Sequence, residues 1–218
     1  MKTKTFNIVL VILALLPLAV VGVLYSHLPD QVPYHWEVGG GVSYGGKSML
    51  WLLAGLSPLL AVLIRVLPKI DPRKANYQKF GGFYNAFCLV LMLFMLLMLG
   101  ITLSETLAPG RISVWRVICC AIGLLFAFLG NFMPKVKSNF FMGIKNPWTL
   151  SDPDVWNRTH RLGGQLFFWF GLALLASGLL LSEVVSFTLM IVGVLAVVIL
   201  PIVLSYFWYR NRHEKNNN

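Results

Sequence analysis

The sequence is 218 residues long; 57% of the residues are hydrophobic and only 12% are charged. A soluble domain carries about 25% charged residues, so this composition excludes an ordinary soluble protein and indicates an integral membrane protein. The formal net charge of +10 is then explained by basic residues placed beside the membrane, and no direct binding of nucleic acid is expected.

Six apolar runs are each long enough to cross the hydrocarbon core of a bilayer as an α-helix. The first run follows the basic Lys2 and Lys4 and extends to Tyr25. No small-residue cleavage site follows it, which disfavours a cleaved signal peptide. The chain is therefore predicted to be an all-α integral membrane protein. The six spans are predicted at 6–25, 48–67, 82–103, 114–133, 165–181 and 187–208.

The connections between the spans alternate in charge. Most Lys and Arg residues lie at the termini and in or beside the connections 68–81 and 134–164, whereas Lys47, Arg111 and Arg116 lie on the other side. Because cytoplasmic connections carry the excess of basic residues, both termini are predicted to be cytoplasmic. The predicted organisation begins with an N-terminal two-span unit at 1–67, which contains an extracytoplasmic loop at 26–47. Spans three and four follow at 68–133. A unit at 134–208 contains a cytoplasmic motif at 139–164 and spans five and six, and a basic, polar cytoplasmic tail follows at 209–218.

The predicted spans contain no Asp, Glu, His or Lys. Ion-coupled transporters usually need an ionisable relay inside the membrane, so this absence disfavours that class. An exporter or transporter of small amphiphilic molecules stays the alternative function, with Asn85, Ser177 and Ser205 as its polar candidates. Small-residue spacings such as Gly123 to Ala127 are too common in apolar sequence to predict a helix contact.

The outer connection, 26–47, combines turn-forming proline and glycine with the aromatic residues Tyr34, Trp36 and Tyr44. Tyrosine and tryptophan favour the headgroup region, so an ordered interfacial loop is predicted. The loop also holds four possible metal ligands. Their spacing matches no strong metal motif, so ordinary hydrogen bonds are expected there, with no metal, no cofactor and no catalytic residue. These four residues are His27, Asp30, His35 and Glu37.

The inner connection is the longest segment that membrane insertion does not explain. Asn146-Pro147 favours an extended or turn conformation, and Ser151 is predicted to cap a helix that runs from about residue 152 to 162. Gly163-Gly164 is predicted to end this helix before the fifth span. Its apolar face, with Trp156, predicts a short amphipathic helix lying in the inner membrane interface.

Other side chains of this helix have their own predicted roles. Arg158 and Arg161 are expected near anionic lipid headgroups. His160 follows Trp156 by one turn and is interpreted as a packing or interfacial residue, because a lone histidine on such a helix is seldom an acid or a ligand.

Both polar connections resemble known sequences. The inner connection resembles the signature of the SdpI family of bacterial immunity proteins, and the outer loop is similar to the small domain of unknown function that usually precedes it in that family. The inner resemblance is carried by Gly143-Ile144-Lys145-Asn146-Pro147-Trp148-Thr149-Leu150, Val155-Trp156 and Thr159-His160-Arg161-Leu162-Gly163-Gly164. The outer one is carried by Leu28-Pro29-Asp30, Pro33-Tyr34-His35-Trp36 and Gly39.

The resemblance implies a multi-pass protein of the bacterial plasma membrane, not an enzyme, that protects the cell from a secreted toxic peptide of the Sdp type. It also implies a receptor that, with toxin bound, holds a winged-helix autorepressor at the membrane. A membrane enzyme is an alternative that the residues disfavour, because it would need a convergent nucleophile, acid and base, or a metal set, and the four outer-loop residues are the only suitable group. An aromatic outer loop is suited to binding an apolar peptide. The candidate toxin-binding residues are Tyr34, His35 and Trp36, and the candidate cytoplasmic partner or signalling face is Trp148, Trp156, Arg158 and Arg161. The alternative roles are interfacial anchoring for the tryptophans and topology with lipid contact for the arginines.

Overall fold

A computed structural model describes residues 3–216. Lys2 and the last two residues of the predicted tail, 217 and 218, lie outside the described residues. Six of the described helices are long and apolar enough to cross a membrane, as a backbone that must satisfy its own polar groups in lipid requires. This confirms the predicted all-α membrane fold with six spans. The helices are α1 (Thr3–Leu24), α2 (Met49–Ile70), α3 (Gly81–Leu107), α4 (Val114–Phe132), the short α5 (Pro147–Ser151), α6 (Pro153–Leu180) and α7 (Glu183–Asn216).

The chain divides into two compact units. One comprises the residues up to Val66 together with Tyr84–Ile118, and the other comprises Leu67–Phe83 together with the residues from Cys119 onward. The predicted division into functional units at 67 and 133 stays a prediction.

The outer connection of the first unit folds as a β-hairpin, which the all-α prediction did not include. Strand β1 (Gln31–Trp36) pairs antiparallel with β2 (Val42–Gly46), and a bulge at Tyr34 interrupts the register. Gly39 and Gly40 have φ values of 100° and 104°, a conformation that glycine adopts without steric cost. The predicted ordered loop is thus a hairpin closed by a tight glycine turn.

An apolar cluster anchors this hairpin. Leu28 and Val32 are buried with residues of α1, α2 and α3, so the base of the hairpin shares the core of the first unit. Lys47 closes the base: its Nζ lies 3.1 Å from Asp30 Oδ1, and its backbone N–H donates to Asp30 O at 2.9 Å. The remaining members of the cluster are Val21, Leu50, Ala54, Leu99 and Leu103.

In the second unit, α4 and α6 approach closely through small residues. A Cβ added to Gly130 would collide with the backbone of Phe168 and Gly164, and one added to Gly171 would collide with the backbone of Ala127. Small residues let membrane helices bring their backbones into van der Waals contact. The Gly123 to Ala127 spacing did not predict a helix contact, yet both residues lie in this one.

The inner connection differs from its prediction in two respects. Asp152, not Ser151, is the N-cap of α6: its Oδ1 accepts from the N–H groups of Asp154 at 2.8 Å and Val155 at 3.2 Å. The predicted short interfacial helix is also wrong, because α6 continues through Gly163 and Gly164 to Leu180 as one helix. The two glycines lie inside a packed helix, where their small size permits contact with neighbours and no chain reversal is needed.

Replacing Gly130 by valine is expected to destabilise the second unit. The added side chain must displace the α6 backbone, and overpacking of this kind costs about 1–3 kcal/mol. Thermal unfolding of the purified protein in detergent checks this. Gly100→Val is the matched control, because a Cβ at that α3 position meets nothing within 4 Å. Equal melting temperatures for the two variants would contradict the glycine contact.

Candidate functional site

A polar, irregular segment of the second unit, residues 136–146, is here called the inner strap. It joins the end of the 3₁₀ turn Met133–Lys135 to the N-cap of α5 and contains no regular secondary structure. Its backbone groups therefore need partners from elsewhere in the protein.

Asn139 supplies several of these partners and is fully buried. Its Oδ1 accepts from the N–H groups of Phe141 at 2.9 Å and Met142 at 2.6 Å, while its Nδ2 donates to Lys137 O at 2.9 Å and Met142 O at 3.0 Å. One amide side chain thus replaces the hydrogen bonds that a helix or sheet would provide, and it holds the strap in a compact turn.

Asp71, which follows α2, forms the second anchor. Its buried carboxylate accepts from the N–H of Arg73 at 2.7 Å, the hydroxyl of Tyr77 at 3.0 Å and the N–H of Phe140 at 2.9 Å. A buried carboxylate is tolerated only when donors surround it. Phe140 belongs to the strap, whereas Tyr77 and Arg73 belong to the 3₁₀ helix Lys74–Phe80 and its N-cap. The carboxylate therefore joins the two segments.

Arg73 adds a third connection. Its guanidinium donates to Ser138 Oγ and, at 2.9 Å, to Leu150 O, and it lies 5.0 Å from the centre of the Phe140 ring. Asp71, Arg73 and Asn139 are not among the residues predicted from the sequence to have a functional role. Asp71 could have been identified from the sequence, because it is the one acidic residue in the otherwise basic connection 68–81.

Trp156 and His160 pack beneath the strap on α6. Both side chains are buried, with their rings stacked at 4.0 Å between centroids, and Trp156 Nε1 donates to Val136 O at 2.9 Å. The N–H of Ile144 donates to His160 Nε2 at 3.0 Å, so that nitrogen carries no proton, and Nδ1 donates to Trp156 O at 2.8 Å. The imidazole is therefore held as a neutral donor and acceptor, consistent with its predicted packing role.

The strap ends in a capped turn. Asn146 is the N-cap of α5: its Oδ1 accepts from the N–H of Thr149 at 2.9 Å, and Thr149 Oγ1 accepts from the N–H of Asn146 at 3.0 Å. The Nδ2 of Asn146 also donates to Ser205 Oγ on α7 at 2.8 Å. This capping box connects the strap to the last span.

On the outer hairpin, the predicted toxin-binding residues differ in exposure. The Tyr34 side chain, in the bulge, is 52% exposed; His35 is exposed and Trp36 is half-buried. Asp30 pairs with Lys47, and His27 contacts Ser26. Within residues 3–216, no three His, Cys, Asp or Glu side chains gather in a group that could hold a metal.

Comparison with known proteins finds a family match for each of the two regions that contain the polar segments. Residues 135–205 match the SdpI/YfhL protein family, and residues 12–57 match DUF1648, a domain of unknown function. The predicted resemblance to the SdpI family is confirmed. The chain is also 23% identical to the immunity protein SdpI of Bacillus subtilis (strain 168) over 210 residues, which cover 96% of this chain and 97% of that protein. No solved structure matches the chain.

These matches and the six apolar helices make the chain a multi-pass bacterial membrane protein. The SdpI-type region (residues 135–205) begins beside the inner strap and includes α6, and the DUF1648 region includes the whole hairpin. Both structured polar segments therefore belong to regions that the relatives share.

The SdpI-type region places the four predicted inner residues in different environments. Trp156 is 1% exposed, so it lies inside the protein and not in the membrane interface as predicted. Trp148 is half-buried, with its ring 5.2 Å from that of Tyr206. Of the four, only the two arginines, Arg158 and Arg161, are exposed.

Asn139→Ala is expected to loosen the inner strap. The substitution removes the acceptor for two backbone N–H groups and the donor to two carbonyl groups, and each buried group left unpaired costs about 1–3 kcal/mol. Hydrogen–deuterium exchange should become at least tenfold faster at the amides of Phe141 and Met142. Asn131→Ala, at an exposed position of α4, is the matched control; unchanged exchange in the Asn139 variant would contradict the anchoring role.

Proposed function

We propose that this chain is a membrane immunity protein that protects its cell from a secreted toxic peptide of the Sdp type. The observation that carries the proposal is the similarity to the immunity protein SdpI over nearly the whole of both chains. The same chain contains both the SdpI-type region and the DUF1648 region, and each region includes one of the two structured polar segments. Protection by binding needs no catalytic group and no cofactor, so we infer a protein without enzymatic activity.

The outer hairpin is the proposed toxin-binding site. Its exposed aromatic side chains, Tyr34 on the bulge and Tyr44 on β2, present ring surface on the predicted outer side of the membrane. Aromatic rings bind apolar peptides by burial and stacking at a low entropic cost. The anchored base of the hairpin supports this role, because a rigid scaffold lowers the cost of ordering on binding.

His35 and Trp36 extend this surface. His35 is exposed beside Tyr34, and Trp36 pairs with Val42 across the hairpin. The Nε1 of Trp36 is buried and has no hydrogen-bond partner within residues 3–216. A small opening of the hairpin would present this donor to a carbonyl group of a bound peptide, which supports including Trp36 in the proposed site.

The triple variant Tyr34→Ala, His35→Ala, Trp36→Ala is expected to lose protection. Survival of a toxin-sensitive bacterium expressing the chain, challenged with Sdp-type peptide, measures this. The tolerated peptide concentration should fall by about tenfold or more, as expected when aromatic anchors are removed from a binding site.

The controls separate binding from folding. Tyr34→Ala with His35→Ala keeps the partly buried Trp36, and Val38→Ala changes an exposed apolar residue of the hairpin turn. Membrane levels of every variant are compared by immunoblot. Full protection by the triple variant at normal levels would exclude the hairpin site, whereas no protection by the unmodified chain would exclude immunity to this peptide.

A second, finer proposal concerns signalling. The resemblance supports a receptor that holds a winged-helix autorepressor at the membrane when toxin is bound. Of the proposed inner face, exposed Arg158 and Arg161 are available for direct contact, and basic side chains favour association with an acidic surface. Buried Trp156 and half-buried Trp148 would act by holding the strap and α5 in position.

The recruitment experiment uses a fluorescent Sdp-type winged-helix autorepressor coexpressed with the chain. Its membrane fraction should rise with toxin present, and Arg161→Glu should reduce that rise at least fivefold because the substitution reverses a charge at the contact. Protection by this variant should remain, since Arg161 is far along the chain from the hairpin and faces the predicted cytoplasm. Recruitment that is absent, or independent of toxin, would contradict the receptor role.

Among residues 3–216, the polar side chains of the second unit do not favour the transporter alternative. Two of its polar candidates are buried within the second unit: Ser177 Oγ donates to Leu174 O at 2.8 Å, and Ser205 Oγ donates to Ile202 O at 2.6 Å. These hydroxyls bond to their own helices, so they do not provide a polar lining for a substrate path.

A further inference from the structure

A polar pocket lies between the start of α6 and the end of α7, within the second unit. Its volume is about 480 Å³, large enough for a charged headgroup. Arg158 has already been proposed as a partner contact, but that role does not explain the pocket. The lining residues are Asp154, Val155, Arg158, Trp208, Asn211 and Arg212.

Arg158 is the free cation of this pocket. Its guanidinium carbon lies 4.3 Å from the centre of the Trp208 ring, and stacking of this kind holds a guanidinium in one orientation. The residues that the structure describes provide no carboxylate or hydrogen-bond acceptor for it. The N–H donors of Arg158 are therefore positioned and available to an anionic ligand.

Arg212, the other cation, is already paired. Its Nε lies 3.1 Å from Asp152 Oδ2, and its Nη1 contacts Asp154 Oδ2. The Asp154 side chain is 63% exposed, and its Oδ1 has no partner among the described side chains. The pocket thus presents one free cation and, beside it, one free carboxylate oxygen.

This charge pattern defines the ligand chemistry. An anionic group accepts hydrogen bonds from Arg158, and a donor attached to that group reaches the free oxygen of Asp154. Arginine binds phosphate well because its planar donors match two oxygens at once. A phosphate that carries an ammonium or hydroxyl substituent satisfies both sides of the pocket.

The position of the pocket favours a lipid over a soluble ligand. The residues just before Trp208 on α7 expose apolar side chains, including Val203, Tyr206 and Phe207. On a span that crosses the bilayer, these side chains face acyl chains, and Trp208 with Tyr206 lies where aromatic residues mark the headgroup level. A lipid seated in the pocket therefore has hydrocarbon surface for its tails directly along α7.

We propose that this pocket binds the headgroup of a phospholipid whose phosphate carries a hydrogen-bond donor, such as phosphatidylethanolamine or phosphatidylglycerol. Arg158, oriented by Trp208, binds the phosphate, and Asp154 accepts from the substituent. The sequence predicted only that anionic lipids lie near the arginines, whereas this proposal places one lipid headgroup at Arg158. It does not depend on the proposed immunity function.

The test is native mass spectrometry of the purified full chain in detergent, titrated with phosphatidylglycerol, phosphatidylethanolamine and phosphatidylcholine of identical acyl chains. Phosphatidylcholine lacks a donor for Asp154, so the other two lipids should bind several-fold more tightly. Arg158→Ala should weaken their binding about tenfold, the loss expected for a charge-assisted contact. Arg161→Ala, which removes another exposed arginine of α6 outside the pocket, should leave binding unchanged.

Two further arms test the details of the site. Asp154→Asn should reduce the preference for phosphatidylethanolamine over phosphatidylcholine, and Trp208→Phe, which keeps an aromatic ring under Arg158, should retain most of the binding that Trp208→Leu loses. Circular dichroism and size-exclusion profiles establish that each variant is folded.

Three results would overturn the proposal. Equal losses in the Arg158 and Arg161 variants would show only general surface charge. Equal binding of all three lipids would remove the role of Asp154. Displacement of the lipids by an equal concentration of soluble glycerol phosphate would show a site for phosphate from solution instead of a lipid headgroup.

Discussion

A buried backbone segment that leaves helical structure must find its hydrogen-bond partners within the protein, and this constraint governs the inner strap of the SdpI-type region. The inner strap meets it with two buried side chains, Asn139 and Asp71, which between them pair five backbone N–H groups and carbonyls of the strap. Since a buried polar group left unpaired costs about 1–3 kcal/mol, these bonds favour the strap conformation seen in the structure. Hydrogen bonds to the strap then help to position α6 and α7.

The first of these elements is α6. Trp156 donates to the strap at Val136, and His160 accepts from it at Ile144, so the buried face of α6 is matched to an irregular backbone. The outward face of the same helix is left with Arg158 and Arg161. Close packing of glycines against α4 then extends the same helix into the membrane without a break. A single helix therefore connects the polar anchor, the exposed arginines and the fifth span.

The backbone of the outer hairpin also needs hydrogen-bond partners, and it finds them in strand pairing. Its backbone groups pair across two strands, and Leu28 and Val32 bury its base among three spans. This arrangement frees Tyr34 and its neighbours from packing, so an aromatic surface is exposed on a firm support. The proposed functions of this protein accordingly lie in the two polar segments outside the membrane spans, while the spans supply the scaffold.

The sequence by itself determined the six spans, the two structured polar segments and the family resemblance, because hydrophobic run length and local motifs are properties of adjacent residues. Tertiary structure decided the rest. Asp71 and Asn139 lie 68 positions apart in the sequence. No local pattern predicts that Asp71 would bind the backbone beside Asn139, or that both side chains would bond to Tyr77. The continuity of α6 through Gly163-Gly164 was also decided there, since glycine ends a helix in water but permits close packing between membrane helices.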